Sequence, residues 1–442
     1  MDTKVRINHP DDLCKVTGNG FGKLRYIRPI SESVKHHREL FKSTGQFSTT
    51  QPASISVAAP PQLLLPKSVL PTYQKNDWKG IYQLQQQANK DLVPIMSNFQ
   101  NHPDNSWIEV QDDTDPSQFY YMSWDNQGNY AWCWCSAVKT ASDPFNPDIK
   151  LNAPTQYGIF SKTTSIAGIH TYNLGLKEIV PELVAASILS FFINKAIKQG
   201  INFVASDLTK MLGDAAAEAG CELVFTISSF VLGAVCSCVV FAIVFIGISY
   251  LWNFLNKRFQ ICVSVYNWDT ANDWQLPVQS LSNAVNPGED QTNNLNINIA
   301  KQIPPGSNPF GNGVQTPPDI GSELMHTVDA AMNYAYIIYV NKSTFMQGLS
   351  FALKCTKNNT NTGFSYAFQC PWTASNGHYI ENTPQDPNSF LSNARSHWVS
   401  STAALTTTVA GMPIRCYIDA LTGGDADGDD SYQVAVHIDP SN

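Results

Sequence analysis

The hydrophobic positions of this chain change their spacing along its length. From Leu223 to Asn256 they run together as LVFTISSFVLGAVCSCVVFAIVFIGISYLWNFLN, with no charged residue between Glu222 and Lys257. About 20 such residues suffice to cross a bilayer as a helix. Tyr250, Trp252 and Phe254, followed by Lys257 and Arg258, are the aromatic and basic anchors usual at the edge of a membrane segment. The preceding run, PELVAASILSFFINKAIKQ, starts apolar and then takes up Lys195 and Lys198. Asp207, Lys210, Asp214 and Glu218 continue its polar marks, and the stretch from Gly213 to Gly220 permits a turn. Residues 175–257 therefore read as a helical hairpin with one amphipathic and one apolar arm.

The apolar arm carries a finer pattern. Ser229, Gly233 and Ser237 recur every fourth residue, a small-residue stripe that lets a second helix approach closely. Leu223, Phe225, Phe230, Val239, Phe241, Phe245 and Trp252 are the large side chains that would meet lipid. Many of the remaining positions are β-branched, so packing or lipid, rather than helix propensity, must hold the arm.

On both sides of the hairpin the period shortens to that of strands. Residues 1–72 read as an arm or linker, rich in Ser, Thr, Gln and Pro after residue 41. Residues 73–160 read as a small β-rich domain from WKGIYQLQQQ, SWIEV, QFYYMSW and NYAWCWCSAV, with DNQGN (125–129) as a hairpin turn. Trp132 and Trp134 share one face of the last strand, as a core row or an exposed binding platform. Residues 259–442 read as an antiparallel β-sandwich, with strands at FQICVSVYNW, LNINIA, NYAYIIYVN, LSFALKC, GFSYAFQCPW, PIRCYIDAL and SYQVAVHID. The expected fold class is α+β and multidomain: a central apolar helical hairpin between an N-terminal β-rich domain and a C-terminal sandwich.

Charge and composition narrow the function. The net charge is −8, which argues against a nucleic-acid partner. The start, MDTKVRINHPDD, has no apolar core of a secretory signal, so release without a signal peptide is expected. The ten cysteines show no disulfide framework and read mainly as buried thiols. Gly18, Gly20, Gly22 and Lys23 depart from the spacing of a phosphate loop. His36 and His37 are adjacent and so do not share a helix face.

No catalytic motif occurs, and the chain reads as a non-enzyme without a cofactor. Asp425, Asp427 and Asp429 around Gly428 offer oxygens of the kind calcium takes, but without a closing Glu; a solvated acidic turn is the plainer reading. Trp268, Trp274, Trp372 and Trp398 fall at strand ends or in loops, where they serve either surface recognition or the core.

The two runs PELVAASILSFFINKAIKQ and FTISSFVLGAVCSCVVFAIVFIGISYLW, with β modules on both sides, resemble the α-helical pore-forming toxins in pattern. That resemblance implies a secreted cytolysin, soluble as a monomer. It would bind a lipid, glycan or receptor on a target-cell membrane, form a homo-oligomer there and insert residues of the 183–256 hairpin. The alternatives are a permanently anchored surface or viral protein with a domain on each side of the membrane, and a soluble non-enzymatic binding module with a buried central helix.

Overall fold

In the computed structural model, strands from both sides of the apolar run hydrogen-bond to one another. The structure describes residues 4–17, 22–44, 62–116, 118–135, 138–139, 151–176, 259–286, 293–309, 316–342, 347–422 and 430–440, with isolated positions between 183 and 217. Apart from residues 175–176 of a strand and those isolated positions, the helical hairpin, with Leu223, Phe225, Phe230, Val239, Phe241, Phe245, Trp252 and the Ser229–Gly233–Ser237 stripe, lies outside the described residues.

Before the run come β1 (Leu24–Pro29), β2 (Gln62–Leu65), β3 (Ile108–Asp112), β4 (Phe119–Trp124), β5 (Tyr130–Cys135), β6 (Val138–Lys139), β7 (Leu151–Ser161) and β8 (Ile166–Leu176). After it come β9 (Phe259–Asn267), β10 (Trp274–Ser282), β11 (Ala284–Val285), β12 (Asn294–Ile299), β13 (Ala330–Asn341), β14 (Leu349–Lys357), β15 (Gly363–Cys370), β16 (Gly377–Glu381), β17 (Leu405–Val409), β18 (Met412–Ile418) and β19 (Asp430–Ile438). The helices are α1 (Leu13–Val16), α2 (Ile30–Thr44), α3 (Leu70–Gln74), α4 (Trp78–Asn101), α5 (Pro318–Thr327) and α6 (Pro387–Ala394).

A 14-stranded sheet runs β1-β3-β4-β5-β7-β8-β2-β13-β9-β19-β18-β17, with β6 beside β7 and β11 beside β13. A five-stranded sheet runs β12-β10-β14-β15-β16. The short strand β2 joins the halves: Leu64 pairs with Ala167 of β8 on one side and with Ala331 of β13 on the other. Its sequence QLLL is buried on both faces, so it shows no alternation and hides within a stretch that reads as linker.

One face of the large sheet is core along its length. At the C-terminal end Val263, Ile337 and Val434 meet Phe351 and Phe368 of the five-stranded sheet. At the N-terminal end Trp124, Trp132 and Trp134 pack with Leu13 and Val16 of α1 and Ile320 and Leu324 of α5. Trp132 and Trp134 are thus core rather than a platform. The opposite face receives α2, α3 and α4. Helix α4 corrects the strand expected at WKGIYQLQQQ. Asp77 caps it by accepting from the Gly80 amide (3.1 Å), and Ile81, Ala88, Leu92, Ile95 and Phe99 follow at spacings of three, four and seven. Within the first ten residues alone that period is not resolved.

The expected division into a discrete apolar hairpin between separate β modules is corrected by this topology. The fold is a sheet-dominated α+β architecture, because the larger sheet of the C-terminal half continues through β2 into the N-terminal half. The same pairing removes the anchored protein with a domain on each side. A single crossing between residues 176 and 259 would put β8 and β13 on opposite sides of the membrane, yet both pair with β2. Among the described residues no helix is long and apolar enough to cross a membrane, which says nothing of a β-barrel.

Candidate functional site

Where β2 joins the halves, the helix-covered face leaves a cleft. Leu63 of β2, Ile166 of β8, Tyr266 of β9 and Tyr334 of β13 form its floor. Tyr73 of α3 and Leu84, Gln85 and Ala88 of α4 form its walls. Its volume is about 380 Å³, counting the open space at its mouth. The floor follows from strand alternation: Val265 and Ala335 point into the sandwich core, so Tyr266 and Tyr334 point the other way. Pro71 lies in the first turn of α3, which carries Tyr73.

The tyrosines touch edge to face and at a tilt. Ring centroids are 6.3 Å apart for Tyr73 and Tyr266, and 5.9 Å for Tyr266 and Tyr334. Burial, first, and neighbouring phenols, second, push the Tyr73 and Tyr334 hydroxyls well above the usual phenol range. Burial also raises Tyr266. The phenols therefore stay neutral and offer hydrogen bonds rather than charge.

A buried chain of side chains fixes Tyr266 from behind. Its ring lies 4.9 Å from that of His437, which stacks on Trp268 at an interplanar angle of 2°. The Trp268 indole Nε1 donates to His437 Nδ1 (2.9 Å). An indole N–H can only donate, so Nδ1 accepts and Nε2 carries the proton. Nε2 then donates to Asn76 Oδ1 (3.1 Å). Asn76 has φ 52° in the turn between α3 and α4, a conformation Asn tolerates. Burial, first, and Arg415, second, push His437 down to about 3, so it is neutral. The wall and the floor are therefore tied together across the two halves of the chain.

A second polar cluster lies under α2. His37 Nε2 meets Glu109 Oε1 at 3.1 Å, and Arg28 Nε lies 3.3 Å from Glu109 Oε2. Ser33 and Ser187 both reach the Tyr121 hydroxyl, at 2.7 and 3.0 Å. Burial opposes the Glu109 charge, but bonds from His37 and Ser33 and the Arg28 charge hold its carboxyl below the usual range. This network fastens α2 to β3 and β4.

Trp268 and Trp274 are core residues, 1% and 0% exposed, rather than surface aromatics. Trp274 Nε1 donates to Asp269 Oδ2 (3.2 Å). Trp372 packs on Phe259 at 5.6 Å, and Trp398 on the cluster of Phe390, Leu391 and Ala394. Both are partly buried, against different clusters. Asp425, Asp427 and Asp429 lie outside the described residues. Among the described residues no group of His, Cys, Asp or Glu is placed to hold a metal ion. Cys14, Cys262, Cys355 and Cys416 are free thiols. The Gly22–Lys23 turn meets the chain's own carboxylate, since the Leu24 amide donates to Asp319 Oδ2 (3.0 Å). The cleft residues were not singled out by sequence; the available signal was the tyrosine alternation in NYAYIIY.

No family model and no curated protein matches the sequence. Among solved structures, the chain matches the crystal structure of RahU protein in complex with a Tris molecule, at 12% identity, covering 42% of this chain and 99% of that one. The TM-score is 0.19. The expected kinship with α-helical pore-forming toxins is corrected by the sheet topology, together with the cytolytic, membrane-inserting function drawn from it. The pattern that suggested it required independent β modules around a hairpin, and strands from both sides of the hairpin share the 14-stranded sheet.

Proposed function

We propose that this chain is a non-enzymatic binding module that seats an uncharged aromatic or aliphatic group of its ligand among Tyr73, Tyr266 and Tyr334. The observation that carries this reading is the cleft itself. Its lining is aromatic and aliphatic, with the Gln85 amide and neutral phenols for orientation. None of the lining residues is charged, and an ionised group placed there would lose its hydration without a partner. Phenols held away from ionisation support binding rather than proton transfer. The net charge of −8 supports a partner other than nucleic acid.

The neutral fluorophore N-phenyl-1-naphthylamine tests this. At about 0.3 kcal/mol per heavy atom, a probe of this size gains roughly 5 kcal/mol, a Kd on the order of 0.1 mM. Gln85→Trp puts an indole across the mouth of the cleft from a half-buried position on α4. It is expected to weaken binding at least about tenfold, the loss of roughly 1.4 kcal/mol, while the melting temperature moves little. Equal affinity in the variant and the parent would place the probe elsewhere and remove the cleft as the site.

A further inference from the structure

We propose that β17 is the edge at which two copies of this chain join, each laying its strand antiparallel beside the other's. The large sheet ends at β17, which pairs with β18 from Leu405↔Cys416 to Val409↔Met412 without a register shift. The turn joining them has Ala410 at φ 49° and Gly411 at φ 85°, the tight primed type that keeps a hairpin regular. Among the described residues no backbone hydrogen bond reaches the outer side of β17. Thr406 and Thr408 are exposed, Leu405 and Thr407 half-buried.

Open edges invite pairing, and proteins blunt them with bulges, prolines, charges or a covering segment. Among the described residues, the other terminal strands of the two sheets carry such devices. β1 has a register shift between Tyr26 and Arg28, contains Arg25 and Arg28 and ends in Pro29. β12 pairs with a shift near Leu276 and Val278, and its Asn296 sits at φ 49°. The outer side of β16 is taken by Val399, which exchanges bonds of 3.1 and 3.0 Å with His378. β17 lacks the sequence devices: LTTTV contains no charge or proline, its pairing with β18 has no register shift, and among the described residues no backbone bonds to its outer side.

Its sequence also selects the occupant. Read in either direction it is apolar, Thr, Thr, Thr, apolar. A two-fold axis through Thr407 would place Leu405 opposite the partner's Val409 and Thr406 opposite the partner's Thr408. Both are favourable cross-strand pairs, with no like charges opposed. Such an isologous contact closes after two copies. It keeps the apolar side chains on the core-facing side of both sheets, because the register is set by alternation. A joint of one short strand is small, so the dimer is expected to be weak and concentration-dependent.

The test uses the full chain with Cys14→Ser, which removes the partly exposed thiol among the described residues. Opposed Cα atoms in an antiparallel pair lie about 4.5–5.5 Å apart, within disulfide range. Mild oxidation of Thr407→Cys should give a covalent dimer, and Thr406→Cys, whose counterpart across the axis is Thr408, should give several-fold less. In sedimentation the unmodified chain should rise towards twice its mass with concentration, while Thr406→Lys/Thr408→Lys stays monomeric. Should the lysine variant melt lower, the cysteine pair still decides. A chain that stays monomeric at every concentration, or cross-linking equal at both cysteine positions, overturns the proposal.

Discussion

His437→Phe is expected to lower stability at neutral pH by about 2–5 kcal/mol and to flatten its acid dependence. Phenylalanine keeps the flat ring stacked on Trp268 but provides neither nitrogen. The Trp268 indole N–H and Asn76 Oδ1 would then be buried without these bonds, each at about 1–3 kcal/mol. The pH effect has a definite sign. His437 is held down to about 3 in the folded chain, against about 6.5 when unfolded. Between those values the unfolded state binds more protons, so this contribution is intact above about pH 6.5 and is lost as pH falls towards 3. The slope is at most about 1.4 kcal/mol per pH unit. His378, lowered by burial to about 4, acts in the same direction. Asp419, raised by burial to about 6, gains stability as pH falls and offsets roughly one histidine. Urea unfolding of parent and variant between about pH 6 and 4.5 should show the parent losing close to one proton's worth of slope more than the variant. Equal slopes would mean that His437 is not buried neutral.

Gly158→Ala is expected to destabilise the chain by about 1–3 kcal/mol, against the ordinary trend. Replacing a strand glycine that tolerates a side chain stabilises by about 0.4–1 kcal/mol, through the unfolded state. Gly158 on β7 lies directly opposite Trp132 on β5, and a Cβ built there runs into the indole ring. Trp132 is fully buried, 5.9 Å from Tyr130, which itself stacks on Phe160 at 5.0 Å. The fully buried indole must shift to admit the methyl group, and overpacking of this kind costs about 1–3 kcal/mol, occasionally more. Adding Trp132→Leu to Gly158→Ala should recover part of the loss, so that the pair is less damaging than the sum of the single changes. A Gly158→Ala protein as stable as its parent would show that the sheet relaxes around the contact.

Much of the local β-structure is legible in the sequence, and its assembly is not. FQICVSVYNW alternates and forms β9, NYAYIIYVN forms most of β13, and the DNQGN turn forms as read, with Asp125 Oδ1 accepting from the amides of Gln127 (2.9 Å) and Asn129 (3.0 Å). Pattern failed where burial on both faces erases alternation, as in β2. It failed also where a helix begins with residues common in strands, as in α4. The cleft was out of reach for a different reason. Tyr73, Tyr266 and Tyr334 meet only because β2 lies between β8 and β13, and no local spacing encodes a pairing between residues so far apart. Likewise Trp268 and Trp274 sit near strand ends, where exposure is common. Their indole partners, His437 and Asp269, are specified by tertiary structure.

The position of β2 also sets an order of events during synthesis. Gln62–Leu65 is made early, and its first neighbour β8 is complete once residue 176 has appeared. Its second neighbour begins only at Ala330. At about 5–20 residues per second the ribosome needs roughly 8–30 s to cover that interval. Throughout it, one edge of β2 is unpaired, and Leu63 still lacks the Tyr266 and Tyr334 floor beside it. A nascent chain stalled before β13 would therefore present an apolar open edge to its neighbours on the same message, so the vulnerable species in production is the half-made chain.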